Sequence, residues 1–216
     1  MFDDFEILRV ISLPQRRDRR REMESEIARA GLAGDPRIAF FDALRPSDAG
    51  PFSSIGARGC YQSHVKILEE AVRKKASVLI LEDDCDLAPD AGSISLGSGW
   101  QIFYGGYMPA EPNNLQHSDI IGSHMMGFSR EGAQLVLEYL RNLDVDGKHP
   151  PIDAAYIWFR RAHPEVTTVF AQPPIGHQRP SRSDIEPGAI YNRLWGVRDM
   201  VASVRRLRRT LTRRSI

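Results

Sequence analysis

A cluster of acidic residues directly follows a run of four branched aliphatic residues. The run is 78–81 (Val-Leu-Ile-Leu), and Glu82, Asp83, Asp84 and Asp86 come after it. A continuous apolar run is typical of a strand that is buried on both faces, and α/β sheets bind ligands beyond the carboxyl ends of such strands. Because neighbouring carboxylates repel one another, the cluster predicts a cation or a set of hydrogen-bond donors nearby.

The spacing within the cluster favours a divalent metal site. In an extended segment alternate residues point the same way, so we expect Glu82, Asp84 and Asp86 on one side and Asp83 on the other. Asp84 and Asp86 then form an Asp-x-Asp pair whose oxygens suit Mg²⁺ or Mn²⁺, with substrate phosphates completing the coordination. Glu82 and a later histidine, His177, are further candidate ligands. An acidic surface loop, and a water-exposed histidine, are the alternatives.

Arginine residues follow the first predicted strand. Segment 7–13 is apolar, Pro14 ends it, and a predicted helix then begins with four arginines between positions 16 and 20, among them Arg17 and Arg20. Guanidinium groups beyond the end of a strand suit an anionic ligand such as a nucleotide diphosphate. A solvated first helical turn would have the same composition.

Two further positions could contribute chemistry. Cys60 and His64 are four residues apart on an amphipathic helix predicted over 57–75, so a metal pair is conceivable. Nothing nearby in sequence completes such a site, and a hydrogen-bonded histidine is the alternative. Asp153 precedes an apolar segment at 154–161 and is a candidate general base, although an aspartate there is also typical of a helix N-cap.

Length and composition predict one α/β domain. The 216 residues are 42% hydrophobic, enough for one substantial core, and predicted strands and helices alternate along the chain. Two cysteines give no disulfide framework. The acidic start at 1–6 does not resemble a signal peptide, and no apolar run approaches the roughly 20 residues of a membrane span, so we expect a cytoplasmic protein.

Basic charge is concentrated at the carboxyl end of the sequence. Six arginines lie in 204–216, which leaves 23 basic against 28 acidic residues in the remainder and argues against a nucleic-acid surface there. Apolar residues recur every three or four positions over 197–216, which predicts a basic amphipathic helix. Such a helix could bind an anionic membrane surface, making the protein peripheral on the inner face of the cytoplasmic membrane. A solvated or partner-binding tail is the alternative.

Seven blocks of residues, in order over residues 7–185, carry a resemblance to a known family. They are 10–13 with Arg17 and Arg20, 40–47, Gly59-Cys60 with Ser63-His64, Glu82-Asp83-Asp84, 127–130, His149-Pro150 with Ile152-Asp153, and Pro173 with Gln178 and 183–185. In these blocks the chain resembles glycosyltransferase family 25, which includes bacterial lipooligosaccharide galactosyltransferases and the collagen galactosyltransferases. Residues 90–120 match nothing in the family.

The resemblance implies a GT-A type α/β fold with a mainly parallel central sheet flanked by helices, over residues 1–196. It implies inverting transfer of a sugar, galactose from UDP-galactose, to a saccharide or lipid-linked saccharide acceptor in lipopolysaccharide, lipooligosaccharide or surface glycan assembly. Mn²⁺ or Mg²⁺ would bind at the acidic cluster and Asp153 would be the catalytic base. The expected donor-binding residues are Ser12, Leu13, Arg17, Arg20, Asp42, Ser63, His64, Asp83 and Gln178.

Two other functions fit parts of the pattern. Haloacid-dehalogenase-like phosphatases also place Asp-x-Asp after a buried strand, but their pattern requires a threonine where this chain has Ala88. A non-enzymatic module that binds a membrane or a partner through its basic tail remains the alternative to a transferase.

Overall fold

The computed structural model of the chain describes residues 1–143, 145 and 147–179. The predicted domain boundary at 196/197 and the predicted amphipathic tail therefore lie outside the described residues. The strands are β1 (Ile7–Ser12), β2 (Ile38–Asp42), β3 (Val78–Glu82), β4 (Cys85–Leu87), β5 (Ile102–Pro109), β6 (Ile120–Phe128), β7 (Thr168–Phe170) and β8 (Gly176–Gln178). The α-helices are α1 (Arg17–Arg29), α2 (Ile55–Lys74), α3 (Arg130–Arg141) and α4 (Ile152–Ala162).

Six of these strands form one central sheet in the order β2-β1-β3-β6-β5-β7. β1 pairs in parallel with β2 and β3, and β5 pairs in parallel with β7, whereas β6 runs antiparallel to both of its neighbours. β4 and β8 form a separate antiparallel pair. The prediction of a mainly parallel α/β sheet in a single domain is confirmed for the described residues.

The sheet has a hydrophobic core on each face. Along β3, Val78 and Ile80 face a core shared with α2, α3 and α4, while Leu79 and Leu81 face a second core shared with α1. All four side chains are at most 2% exposed. The uninterrupted apolar run thus encodes a strand covered on both faces, as predicted.

Gly105 and Gly106 lie inside β5 and do not end it. β5 continues to Pro109 and its register against β6 shifts near these glycines. A Cβ on Gly105 would lie 2.6 Å from the Met125 Sδ atom, and one on Gly106 would lie 2.3 Å from His124 Nε2. The glycines therefore let side chains of β6 cross the adjacent strand at an irregular point of the ladder.

Helix α4 begins earlier than an N-cap at Asp153 would require. Pro151 occupies the cap position, and Asp153 lies inside the first turn. For α3, by contrast, Ser129 caps the helix, because its hydroxyl accepts the Gly132 N–H at 3.0 Å. Within the described part of the chain, no helix is both long and apolar enough to cross a membrane.

Candidate active site at the acidic edge of the sheet

The carboxyl ends of β1, β2 and β3 meet at one edge of the sheet. Ser12 is in register with Asp42, and Ile11 is in register with Glu82. The antiparallel strand β6 brings Ser123 to the same edge, where its hydroxyl donates to Glu82 Oε1 at 2.7 Å. Residues far apart in sequence therefore converge where α/β sheets commonly bind ligands.

The acidic segment is not one extended strand, so the predicted alternation of Glu82, Asp84 and Asp86 is wrong. β3 ends at Glu82, the chain turns at Asp83 and Asp84, and β4 starts at Cys85. Glu82 accepts from Ser123 on β6, whereas the adjacent Asp83 and Asp84 both lie against Arg19 of α1 instead of pointing to opposite sides. A turn removes the two-residue periodicity on which the prediction rested.

A buried arginine provides a cation for the acidic edge. Arg19 Nη1 lies 2.8 Å from Asp83 Oδ1 and 3.7 Å from Asp84 Oδ2, and Ser12 Oγ donates to Asp83 Oδ2 at 2.7 Å. Arg17, which sequence reasoning selected instead, is exposed, with no side-chain partner among the described residues. The four-residue spacing of Arg19 with the buried Met23 was the signal that distinguished them, since it puts Arg19 on the inward face of α1.

Asp84 retains an unsatisfied buried oxygen. Its side chain is 11% exposed, Oδ2 accepts a long hydrogen bond from Gln178 Nε2 at 3.4 Å, and Oδ1 is buried without a partner among the described residues. Burial, and then the negative charge of Glu82, raise the Asp84 pKa to about 6 against the opposing effect of Arg19. An orphaned carboxylate oxygen beside a second carboxylate fits a hard divalent cation such as Mg²⁺ or Mn²⁺.

Asp86 and His177 lie on the paired strands β4 and β8. They are in register with each other, and His177 is exposed. The Asp86 carboxylate accepts the Arg179 Nε–H at 2.9 Å, and Arg179 also pairs with Glu22. Asp86 thus has a guanidinium partner that sequence reasoning missed, because the strand pairing that brings Arg179 to it is not visible in the local pattern.

Arg20 and Asp42, both expected to bind the donor, are bonded to each other. Arg20 Nη2 donates to Asp42 Oδ1 at 2.5 Å and to the Ser12 carbonyl at 3.1 Å, and its guanidinium lies 5.2 Å from the centre of the Phe40 ring. Asp42 is exposed and Leu13 is partly buried at the same edge. This pair lies at the β1–β2 side of the edge, where the Asp42 side chain is 70% exposed and the Arg20 side chain is 24% exposed.

Ser63 already uses its hydroxyl within the protein. Its Oγ donates to the Gly59 carbonyl at 2.7 Å and accepts the Leu44 N–H at 2.9 Å. A Cβ on Gly59 would lie only 2.2 Å from the Leu44 carbonyl oxygen. Both residues therefore fasten α2 to the segment after β2, which gives this block of the sequence a packing role.

His64, Glu82 and Cys60 form a polar cluster between α2 and β3, which we call the α2–β3 cluster. One potential ligand atom from each residue lies within 4.8 Å of the other two. His64 Nδ1 is 2.9 Å from the Tyr156 hydroxyl, while His64 Nε2 is buried without a hydrogen-bond partner and lies 4.0 Å from Glu82 Oε1. Burial lowers the His64 pKa to about 3, so the imidazole is neutral. His64 is a hydrogen-bonded helix histidine, and Glu82 adds the third group that the local sequence lacked.

Asp153 lies near this cluster and is 3% exposed. Its Oδ2 accepts the Gly122 N–H at 3.4 Å and its Oδ1 accepts the Ala154 N–H at 3.0 Å. Gly122 precedes Ser123, the hydrogen-bond partner of Glu82, along β6, and the negative charge of Asp153 partly offsets the lowering of the His64 pKa. The structure thus brings Asp153 to the edge that carries Glu82.

Comparison with known proteins shows the type of fold. No protein-family model matches the chain, and no curated protein sequence matches it. A solved structure aligns with this chain at a TM-score of 0.53 and 11% sequence identity. It is the crystal structure of a glycosyltransferase involved in the glycosylation of the major capsid of PBCV-1, and the alignment covers 82% of this chain and 94% of that chain. The α/β fold with its mainly parallel sheet is therefore shared with a glycosyltransferase, and it is consistent with the GT-A type.

Proposed function

We propose that the protein is a glycosyltransferase that uses a nucleotide sugar. The observation that carries the proposal is the buried Asp84 carboxylate, with one oxygen unsatisfied, at the carboxyl end of β3 in a fold shared with a glycosyltransferase. Such an edge is where this class of sheet binds ligands. The family 25 resemblance extends the proposal to inverting transfer of galactose from UDP-galactose to a saccharide, in lipopolysaccharide, lipooligosaccharide or surface glycan assembly.

The residues of the acidic edge would divide the work of donor binding. Asp84 would hold Mn²⁺ or Mg²⁺, with Asp86 or His177 as additional ligands, and the bound ion would neutralise the diphosphate leaving group. Arg19 holds Asp83 in place, and Gln178 contacts Asp84. These contacts fix the acidic turn before any ligand arrives, which limits the reorganisation that binding requires.

Asp153 is the proposed general base. As the acceptor oxygen bonds to the anomeric carbon and the bond to the diphosphate breaks, the hydroxyl proton would pass to the Asp153 carboxylate. The Gly122 and Ala154 N–H groups orient that carboxylate, and its low exposure keeps water away. The acceptor hydroxyl must therefore enter a nearly closed site.

Calorimetric titration with UDP, with and without Mn²⁺, tests the donor site. We expect binding that depends on the metal and is lost in Asp84→Asn. A non-enzymatic module would show no metal-dependent binding, and that result would refute the donor-site proposal. A screen of sugar nucleotides for Mn²⁺-dependent hydrolysis or transfer would then identify the donor.

The Asp153→Asn variant tests the base separately. It should bind UDP and Mn²⁺ as the unaltered protein does, while transfer falls by about 10² to 10⁴. Equal transfer by both proteins would remove Asp153 from the base role without affecting the donor-site proposal.

We also propose that the protein is cytoplasmic and that residues 197–216 bind an anionic membrane surface, which would bring the site to a lipid-linked acceptor. The sequence supports this through its six arginines, each of which would contribute about 1 kcal/mol near an anionic leaflet. Liposome sedimentation should show binding by the full chain and loss of binding by a chain ended at Asp199. Equal sedimentation of both would contradict the proposal.

A further inference from the structure

We propose that the α2–β3 cluster of Cys60, His64 and Glu82 binds a transition-metal cation of the Zn²⁺ class, at a site distinct from the oxygen-ligated ion of the donor site. Cys60 and His64 are four residues apart on α2 and therefore project from the same face of the helix. Glu82 ends β3 and meets them from the sheet. Thiolate, imidazole and carboxylate are the three ligand types that proteins use for zinc.

The distances require only a small adjustment. With bonds of about 2.0 to 2.3 Å, tetrahedral ligand atoms lie about 3.3 to 3.6 Å apart. His64 Nε2 and Glu82 Oε1 are 4.0 Å apart, and no pair in the cluster exceeds 4.8 Å. Rotation of the partly exposed Cys60 and Glu82 side chains can close these gaps while His64 stays fixed.

His64 provides an independent reason to expect a ligand. Its Nε2 is fully buried, faces Glu82 and has no hydrogen-bond partner among the described residues. Such an atom costs free energy unless something binds it. Metal binding at Nε2 leaves the proton on Nδ1, where it can donate to the Tyr156 hydroxyl oxygen at 2.9 Å.

The outer contacts of the cluster match those of metal sites. Tyr156 orients His64, and Ser123 donates to Glu82 Oε1 at 2.7 Å, so two of the three ligands already have the supporting hydrogen bonds that metal ligands need. A thiolate and an imidazole favour Zn²⁺ over Mg²⁺ and Mn²⁺, which prefer oxygen. The acidic edge of the sheet would therefore hold two different metals. The oxygen-ligated ion would bind at Asp84, and the Zn²⁺-class cation would bind at Glu82 on the side that faces α2.

Co²⁺ titration of the full chain, after chelation of any metal and without sugar nucleotide, tests the proposal. Cobalt bound to a thiolate gives a charge-transfer band in the near ultraviolet, and we expect one equivalent of Co²⁺ to produce it and Zn²⁺ to abolish it. Cys60→Ser should lose the band. Cys85→Ser, which alters the other cysteine, and Asp84→Asn, which alters the donor site, should keep it.

A milder variant covers the case in which direct ligand changes disturb folding. Tyr156→Phe leaves all three ligands in place but removes the partner of His64 Nδ1, and it should weaken Zn²⁺ binding by about 10-fold to 100-fold while the cobalt band stays at its wavelength. Any one of four results would overturn the proposal. These are absence of the cobalt band in the unaltered protein, its survival in Cys60→Ser, its loss in Cys85→Ser, and an unchanged Zn²⁺ affinity in Tyr156→Phe. None of these results depends on whether the protein transfers a sugar.

Discussion

Replacing Asp84 by asparagine should stabilise the protein when no metal is present. The Asp84 side chain is 11% exposed, and burial together with the charge of Glu82 raises its pKa from an ordinary value of 3.8 to about 6. At about 1.4 kcal/mol for each pH unit, this difference corresponds to about 3 kcal/mol of destabilisation once the carboxylate is ionised. The amide of asparagine has almost the same shape, carries no charge and can still accept the hydrogen bond from Gln178.

The effect has a definite pH dependence. Because the Asp84 pKa is higher in the folded state than in the unfolded state, the folded state binds the Asp84 proton more tightly. The unaltered protein therefore loses stability as the pH rises from about 4 to about 6. Asp84→Asn should therefore match the unaltered protein near pH 4 and exceed it by up to about 3 kcal/mol near pH 8.

Urea denaturation of chelator-treated protein across this pH range measures the difference. Asp86→Asn is the matched control, since the Asp86 side chain is 41% exposed and its pair with Arg179 should be worth only about 0 to 1 kcal/mol. If Asp84→Asn is less stable than the unaltered protein near pH 8, or if the difference does not change with pH, the argument for a desolvated carboxylate at position 84 is wrong.

The same carboxylate should make metal binding depend on pH. Mn²⁺ competes with the proton at Asp84, so affinity should fall about tenfold for each pH unit below about 6 and level off above it. Calorimetric titrations with Mn²⁺ over this range would show the change. An affinity that is constant between about pH 4 and pH 6 would exclude Asp84 as a ligand.

Two further variants test the packing around the site. Arg19→Met should destabilise the protein by about 3 to 5 kcal/mol in urea denaturation, because it leaves the buried Asp83 carboxylate without its cation. The control is Arg17→Met on the exposed side of the same helix, which should change stability by less than about 0.5 kcal/mol. Gly132→Ala should cost about 1 to 3 kcal/mol, because the new Cβ would lie 2.0 Å from the Gln101 carbonyl oxygen; a thermal melt at the unaltered temperature would contradict the close approach.

Local patterns in the sequence were enough to predict the layers of the fold. The run 78–81 indicates a strand covered on both faces, and the apolar spacing in α2 and α3 indicates which side of each helix is buried. These signals are readable because each depends on a repeat within one element. β8 and the continuation of β5 through Gly105 and Gly106 were missed, since β8 is a three-residue strand and the two glycines are explained only by side chains on the neighbouring strand.

The sequence by itself determined that carboxylates follow the buried strand β3 and that arginines follow β1, because a strand ends where its apolar run ends. Only the tertiary structure decided that Arg19 is the buried partner of Asp83, that Asp84 keeps an unsatisfied oxygen, and that Glu82 faces His64. These outcomes depend on a turn at the end of β3 and on the packing of α1 and α2 against opposite faces of the sheet. Such contacts join residues more than 15 positions apart, and no periodicity within a single segment encodes them.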